Sequence, residues 1–440
     1  MRTGVLAAVM CVGFSAGVAT AEGDVTFDIS GSFSADITQI VNSSNVRGVE
    51  PANSDWLDGY LLQTVDAKIV MAATAREKLK GSFALANEVS FGLPDDNDVA
   101  ALRKRGSTTF LESAYLSYLC GDPQDSRADL TLGYFSYNYY PDSRVLGGYL
   151  FKTGIHPGYI ISGNIDPKLR GLLFHARMRE FLHHNIFVTT PENDLSLTYL
   201  FRAVAESFSL DAAFMAHRVV PYFEGKTDLA KEEANQSPLL HGYRDEDGTR
   251  IWYKKSGFKL VGRLTLDFKK MLGLNEERFS SQAMRLYAEA ALLGIKNYPG
   301  YYERISERVP VMAGVSIPTL KLLDVLAFEI EYYGSPFYNN PIDEPKPLYL
   351  FEYSQGTDLA PSNMIHPDTS DVRALIGEHG KGDNIRWAVY AERTFGKSFS
   401  VGLRVASDHW RERSAGWYEP LEMLHGPDEW YWYLNFTARL

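Results

Sequence analysis

The stretch from Trp430 to Leu440, WYWYLNFTARL, separates into two kinds of side chain by alternation alone. One set is apolar throughout and consists of Trp430, Trp432, Leu434, Phe436, Ala438 and Leu440. The other set carries a polar group at every position and consists of Tyr431, Tyr433, Asn435, Thr437 and Arg439. Because successive side chains of a strand point to opposite faces, the stretch predicts one β-strand with an apolar face and a polar face.

The same alternation recurs along the whole chain. The segment from Val25 to Thr38 is long enough to cross a bilayer, which a tilted strand does in about 9 to 11 residues. Alternation and length predict about 16 strands, with 14 or 18 as alternatives. These predicted strands cover residues 25–40, 57–74, 79–91, 108–119, 128–139, 169–178, 182–190, 195–205, 207–218, 250–267, 282–295, 309–317, 320–333, 384–395, 397–410 and 429–440. The predicted fold class is an all-β, transmembrane antiparallel β-barrel.

The connections between these strands support a barrel that lies in an outer membrane. Most odd-to-even connections are long, and most even-to-odd connections are as short as Arg76 to Lys78. Outer-membrane barrels have long external loops and short periplasmic turns. The tight connection at 191–194 and the longer stretch at 272–281 break the rule, which leaves a miscounted pair of strands open.

The first residues are typical of a secretory signal peptide. Arg2 precedes an apolar run, and the small residues Ala19-Thr20-Ala21 form a cleavage site. We therefore expect residues 1–21 to be removed and residues 22–440 to form a single barrel domain. The formal net charge of -11 becomes -12 without Arg2, and an acidic secreted chain argues against a nucleic-acid partner.

A closed barrel also answers a physical requirement of the membrane. In hydrocarbon every backbone donor and acceptor must be paired within the protein, and a closed sheet has no unpaired edge. The alternative fold class is a secreted soluble β protein, whose strands also alternate. Such a fold is expected to space its strands at about 8 to 12 residues with short connections at both ends.

The cleavage site, the amphipathic terminal strands and the closing strand WYWYLNFTARL resemble those of Gram-negative outer-membrane β-barrels of the general porin type. In that family the barrel-assembly machinery recognises the closing strand, which most often ends in Phe or Trp; here it ends in Leu440. The resemblance implies a position in the cell outer membrane, in contact with its lipid. It is also compatible with a homotrimer, and it assigns no subfamily.

The predicted inner face carries charges of both signs. A barrel of about 16 strands leaves an aqueous channel, so the inward-facing charged residues are candidate pore-lining groups. They are Asp28, Asp36, Asp66, Lys68, Glu88, Asp211, Lys259, Arg263, Asp267, Arg285, Glu289, Glu329, Glu331, Arg386, Glu392, Arg404 and Arg439. The alternative is that these groups only pair with one another along a wet wall.

Residues 140–168 are the candidate for a loop that folds into the pore. The apolar residues of this segment, such as Leu146, would be poorly placed in open water, and packing them against the inner wall would form a constriction. Asp142, Arg144 and Lys152 would then line it. The alternative is an external cap. The longest loop, 334–383, is rich in Pro, Asp and Asn and is expected to be an exposed surface.

No enzyme is expected from the motifs. The chain has no G-x-S-x-G element for a nucleophilic serine, and the neighbours Asp408 and His409 should point apart on a strand. His175 and His217 fall on predicted inner faces, where ordinary hydrogen-bonded roles are favoured. No H-E-x-x-H, paired C-x-x-C or calcium-loop spacing occurs, so neither a metal nor a cofactor is expected.

Taken together, the sequence predicts a porin-like outer-membrane channel for passive diffusion of small hydrophilic solutes through a charged lumen. The alternative is a non-conducting surface barrel that serves adhesion or ligand binding through its long loops.

Overall fold

A computed structural model gives the structure of the chain. It describes residues 19–20, 25–42, 61–91, 106–122, 127–137, 146, 168–190, 194–221, 240–244, 250–254, 257–274, 278–295, 304–334, 385–410, 424 and 426–439. Several sequence-based expectations therefore lie outside the described residues. They concern Asp142, Arg144, Lys152, Leu440, residues 1–21 apart from the two at 19–20, most of 140–168 and nearly all of 334–383.

The wall of the barrel is built from sixteen strands. They are β2 (Val25–Asn42), β3 (Leu61–Ala75), β4 (Leu79–Phe91), β5 (Gly106–Cys120), β6 (Ala128–Ser136), β7 (Lys168–Met178), β8 (Leu182–Thr189), β9 (Asp194–Val204), β10 (Phe208–Pro221), β13 (Gly257–Asp267), β14 (Arg285–Leu292), β15 (Val311–Ser316), β16 (Val325–Tyr332), β17 (Ile385–Phe395), β18 (Phe399–Ser407) and β19 (Trp430–Arg439).

Three further strands and two short helices complete the described elements. The two-residue strand β1 (Ala19–Thr20) pairs with β2, and β11 (Leu240–Arg244) pairs with β12 (Arg250–Lys254) as a separate hairpin. Helix α1 (Phe268–Met271) follows β13, and a 3-10 turn (Ile305–Arg308) precedes β15. No helix in the described part of the chain has the length and apolar character needed to span a bilayer.

Antiparallel pairing closes the wall into a ring. Each strand pairs with the next, β10 pairs with both β9 and β13, and β19 returns to β2 through pairs such as Leu434 with Ile37. A ring of this kind has no free edge, so its backbone groups are satisfied within the sheet. The predicted fold class, a closed antiparallel all-β barrel of 16 strands, is confirmed.

The two faces of the wall differ as the alternation predicts. On β16, Phe328, Ile330 and Tyr332 are exposed, whereas Glu329 and Glu331 between them are buried. Large apolar side chains are exposed on the outer face around the ring, including Ile69 and Leu132. The outer face is therefore apolar and suited to lipid, and the ionic groups point inward.

One strand prediction is wrong in its extent. The predicted strand 250–267 is two elements, because β12 pairs only with β11 and the barrel strand β13 begins at Gly257. Alternation does not reveal where a strand changes its partner, so the two elements appeared as one. The two connections that break the length rule, 191–194 and 272–281, do not change the number of strands. The first joins the separate barrel strands β8 and β9, and the second follows α1 between β13 and β14. The alternatives of 14 and 18 strands are therefore wrong.

Candidate functional site

The inner face has two regions that differ in how far its charges are covered. We call the inner face of β10 to β17 the covered wall, because many of its charged side chains are nearly inaccessible. Eight of the candidate pore-lining residues there are at most 8% exposed, namely Asp211, Lys259, Arg263, Asp267, Glu289, Glu329, Glu331 and Arg386. We call the inner face of β2 to β7 the open wall, where Asp36, Asp66, Lys68 and Glu88 keep partial exposure and Asp28 is exposed.

The other candidates are more exposed than those of the covered wall. Arg285, Glu392 and Arg404 are partly exposed, and Arg439 is exposed near the end of β19. Arg285 Nε lies 3.6 Å from Asp267 Oδ2, and Glu392 accepts a 2.6 Å hydrogen bond from the hydroxyl of Tyr390. Arg285 and Glu392 thus have local partners.

A row of cross-strand partners crosses much of the barrel, and its charges alternate in sign from Arg202 to Glu289. The row runs from β7 to β17 through Arg177, His183, Arg202, Asp211, Arg263, Glu289, Met312, Glu331 and Arg386. Arg202 Nε lies 3.4 Å from Asp211 Oδ1, and Arg263 Nη1 donates to Glu289 Oε1. Opposite charges directly across strands stabilise a sheet, so this row binds its strands together.

Tyr287 links this row to Glu329, another buried acid of the covered wall. The guanidinium carbon of Arg263 lies 4.9 Å from the centre of the Tyr287 ring. The ring lies across Gly314 on β15, and its hydroxyl donates a 2.5 Å hydrogen bond to Glu329 Oε1 on β16. One tyrosine thus spans a neighbouring strand to reach a carboxylate, which requires a glycine on the strand it crosses.

Glu329 also contacts the segment that was predicted to enter the pore. Its second oxygen, Oε2, accepts a hydrogen bond from the backbone N–H of Leu146, and Leu146 is completely buried. Leu146 is the described residue within the interior of segment 140–168, and it lies against the inner face of β16. The contact places this point of the segment inside the ring of strands.

A second contact covers the same wall near the start of β17. Arg386 Nη2 donates a 3.0 Å hydrogen bond to the carbonyl of Leu424, and Ser407 donates a 2.7 Å bond to the carbonyl of Gly426. Leu424 is 0% exposed. The connection between β18 and β19 is therefore held inward at these two residues, next to the Glu329 contact.

Asp408 and His409 follow the last residue of β18, Ser407, and contact different partners. Asp408 accepts a 3.0 Å hydrogen bond from the hydroxyl of Tyr431, and His409 Nε2 lies 2.8 Å from Glu331 Oε1. Asp408 lies just beyond the end of β18, where burial raises the pKa of its carboxyl group, although the nearby Arg404 guanidinium acts in the opposite direction. Both residues belong to the buried network under Leu424.

The open wall has its own charged cluster. Glu112 Oε1 lies 3.1 Å from Lys68 Nζ on β3 and 2.6 Å from Lys168 Nζ on β7. Lys168 also donates a 2.6 Å hydrogen bond to Ser136. Because these side chains are 36%, 13% and 20% exposed for Lys68, Glu112 and Lys168, the cluster is accessible to water, unlike the pair of Arg263 and Glu289.

The histidines on the inner face form hydrogen bonds with one another and with an acid. His175 Nδ1 lies 2.8 Å from Asp129 Oδ2, and its Nε2 lies 3.3 Å from His183 Nδ1. Within the described ranges, no group of three or more His, Cys, Asp or Glu side chains is arranged to hold a metal ion. The arrangement is that of hydrogen-bonded wall residues.

Sequence reasoning missed Glu112 and Lys168 as inner-face charges. Glu112 sits at a register irregularity of β5, where strict alternation fails, and Lys168 is the first residue of β7, at a boundary that alternation does not define. It also missed the contact between Leu146 and Glu329, because the two residues are 183 positions apart.

Comparison with solved structures identifies the class of barrel. The fold is similar to that of Pseudomonas putida OprB in its high-pH structure, with 8% sequence identity, a TM-score of 0.50 and 94% of each chain covered. Two variants of the Rhodopseudomonas blastica porin align over 94% of this chain and 100% of theirs, with 9% identity and TM-scores of 0.46 and 0.45.

Sequence comparison finds no relative of the chain. No family profile matches the chain, and no curated protein matches it by sequence. Strand pairing and the similarity to OprB together show a closed 16-strand barrel with the fold of porins, and the predicted resemblance is confirmed at the level of the fold.

Proposed function

We propose that the protein is a passive outer-membrane channel for small hydrophilic solutes. The observation that carries the proposal is a closed ring of sixteen strands whose inner face keeps accessible charged side chains along the open wall. Barrels of this size enclose water, whereas barrels of about eight strands fill their interior with side chains. A charged, wet interior favours polar solutes over apolar ones.

Segment 140–168 is proposed to narrow this channel. The support is the buried Leu146, whose backbone N–H donates to Glu329 on the inner face. A segment held at that point takes up space inside the ring. Asp142, Arg144 and Lys152 are then proposed to line the narrowed part, and the external-cap alternative is disfavoured by the same contact.

The conducting route is proposed to run off-centre, along the open wall. The contacts of Leu146 and Leu424 both fall on the covered wall, where eight of the charged candidate residues are buried. Solutes would therefore pass between segment 140–168 and the inner face of β2 to β7. On this proposal Asp36, Asp66, Lys68 and Glu88 line the route, whereas Glu329 and Arg386 hold its opposite boundary.

The remaining parts of the proposal concern biogenesis and setting. We propose cleavage of the signal peptide near Ala21, insertion by the barrel-assembly machinery, contact with outer-membrane lipid, and a homotrimer as the assembled state. N-terminal sequencing of the mature protein and its mass in detergent test the first and last of these. Neither a cofactor nor a reaction is part of the proposal.

Planar-bilayer recording tests the channel directly. The purified, folded protein is expected to produce discrete conductance steps, and liposomes containing it should swell in small sugars. A barrel that shows the heat-modifiable mobility of a folded outer-membrane protein but never conducts would overturn the proposal. Deletion of 334–383 should leave conductance unchanged. If the deletion instead abolishes attachment to a ligand or surface, and the intact protein does not conduct, the adhesion alternative is favoured.

A further inference from the structure

A β-bulge on β5 places an acidic residue on the open wall. Ala84 of β4 pairs with Ser113, whereas its neighbour Leu85 pairs with Leu111, so Glu112 is the extra residue on β5. The apolar exposed positions change parity across this point, from Leu111 to Leu116. A bulge inserts one residue and redirects the side chains around it, and here it turns the carboxylate of Glu112 inward.

Two lysines converge on one oxygen of this carboxylate. Lys68 Nζ and Lys168 Nζ lie 3.1 Å and 2.6 Å from Glu112 Oε1. They come from β3 and β7, each two strands from β5 in the ring. Ala84 and Ala86 on the intervening strand β4 are buried, as expected where long side chains lie across small ones. Two positive charges are thus brought together around one negative charge.

The cluster lies at the base of segment 140–168. Lys168 is the last residue of that segment and the first of β7, and its partner Ser136 is the last residue of β6, just before the segment. The interior of the segment contacts the opposite, covered wall through Leu146. A solute that passes along the open wall therefore meets Lys68, Glu112 and Lys168 where the segment leaves that wall.

The local charge balance decides what such a solute experiences. The three side chains carry two positive charges and one negative charge, so the cluster by itself has a net charge of +1 and attracts anions. Asp66 and Glu88, a cross-strand pair on β3 and β4, face the same interior and oppose that attraction. The two lysines thus face three carboxylates, Glu112, Asp66 and Glu88, and the loss of one of these charges is expected to shift the ion preference.

We propose that Lys68, Glu112 and Lys168 form the charge-selective element of the channel, and that Glu112 limits the admission of small anions by offsetting one of the two lysine charges. This inference rests on the proposed channel function. The ligand class is a small inorganic or carboxylate anion, recognised by the two ammonium groups. Glu112 acts as a specificity-determining residue, and the bulge is the structural feature that places it there.

Reversal potentials in a potassium chloride gradient test this proposal. Glu112→Gln should raise the permeability ratio of chloride to potassium about threefold, since a unit charge a few ångströms from the path in water has an effect of that order. Lys68→Gln should lower the same ratio. The matched control is Glu77→Gln, the same change at an exposed residue in the turn between β3 and β4.

The outcomes separate this inference from the channel function itself. A wild-type protein that does not conduct overturns the channel. A conducting protein whose Glu112→Gln and Glu77→Gln variants have the wild-type ratio overturns the charge-selective element alone. If Glu112→Gln does not reach the heat-modifiable folded form, Lys68→Gln and Lys168→Gln decide the matter, and an unchanged ratio in both contradicts the proposal.

Discussion

The ring of Tyr287 occupies the space that a side chain at Gly314 would fill. A Cβ atom at Gly314 would lie 2.2 Å from Cε2 of Tyr287, closer than any non-bonded contact. From this position the tyrosine hydroxyl reaches Glu329, which in turn holds the backbone of Leu146. The absence of a side chain on β15 therefore determines a contact between β14, β16 and a distant segment.

Gly314→Ala should destabilise the barrel, because the new methyl group and the Tyr287 ring cannot both occupy this space. Forced repacking of this kind costs about 1–3 kcal/mol, and the free energy of unfolding in urea, measured in lipid vesicles, should fall by that amount. Gly262→Ala is the matched control, since no atom lies within 4 Å of a Cβ built there. Equal stability of the two variants would contradict the expectation.

Glu329→Ala should increase single-channel conductance. The substitution removes the acceptor for both the Leu146 N–H and the Tyr287 hydroxyl, so the proposed narrowing segment loses its described attachment to the wall. Glu392→Ala is the control, because Glu392 is an inner-face acid that accepts from Tyr390. Wild-type conductance in a folded Glu329→Ala protein would show that this attachment does not limit the pore.

Arg386→Met should lower stability strongly. Arg386 is 1% exposed, bonds the carbonyl of Leu424 and lies opposite Glu331, so its loss leaves buried partners uncompensated. Leaving a buried hydrogen-bond partner unsatisfied in this way costs about 1–3 kcal/mol. Arg393→Met is the comparison, since this arginine is 38% exposed next to Asp324 and such surface pairs contribute about 0–1 kcal/mol. The temperature at which the folded gel band is converted to the unfolded band measures the stability of each variant. We expect a lower temperature for Arg386→Met than for Arg393→Met, and equal temperatures would contradict this expectation.

Ile69 and Val70 test which face of the wall meets lipid. Ile69 is 53% exposed on the outer face, and Val70, its neighbour on β3, faces inward. Ile69→Arg should cost about 2–4 kcal/mol if it lies near the bilayer midplane, whereas Val70→Arg should be tolerated beside water. Folding yield into vesicles measures both, and the reverse order would mean that the faces are exchanged.

Alternation predicted the barrel well wherever a strand is regular and keeps one partner on each side. Glu329 and Glu331 could be placed inward from the sequence because their neighbours Phe328 and Ile330 are apolar. The same rule failed at residues 250–267, where a change of partner leaves the periodicity intact. It also failed at Glu112, because a bulge shifts the phase of the strand without any signal in the composition.

Contacts between distant segments were beyond the reach of periodicity. The sequence indicated that the apolar residues of segment 140–168 need cover, but not which strand provides it. The partner of Leu146 is Glu329, which depends on how the ring closes and on Gly314 leaving room for Tyr287. Such arrangements are set by tertiary packing, which no local pattern encodes.

Because the inner face is covered unequally, substitutions in its two regions should have different effects, which protein engineering can use. Substitutions from β10 to β17 disturb buried ion pairs such as Arg263 with Glu289, and their first effect should appear as loss of yield. Substitutions around Lys68 and Glu112 alter groups already in contact with water and should spare assembly. A library intended to change what the pore admits is therefore best confined to one arc of the cylinder, with the other arc kept as scaffold.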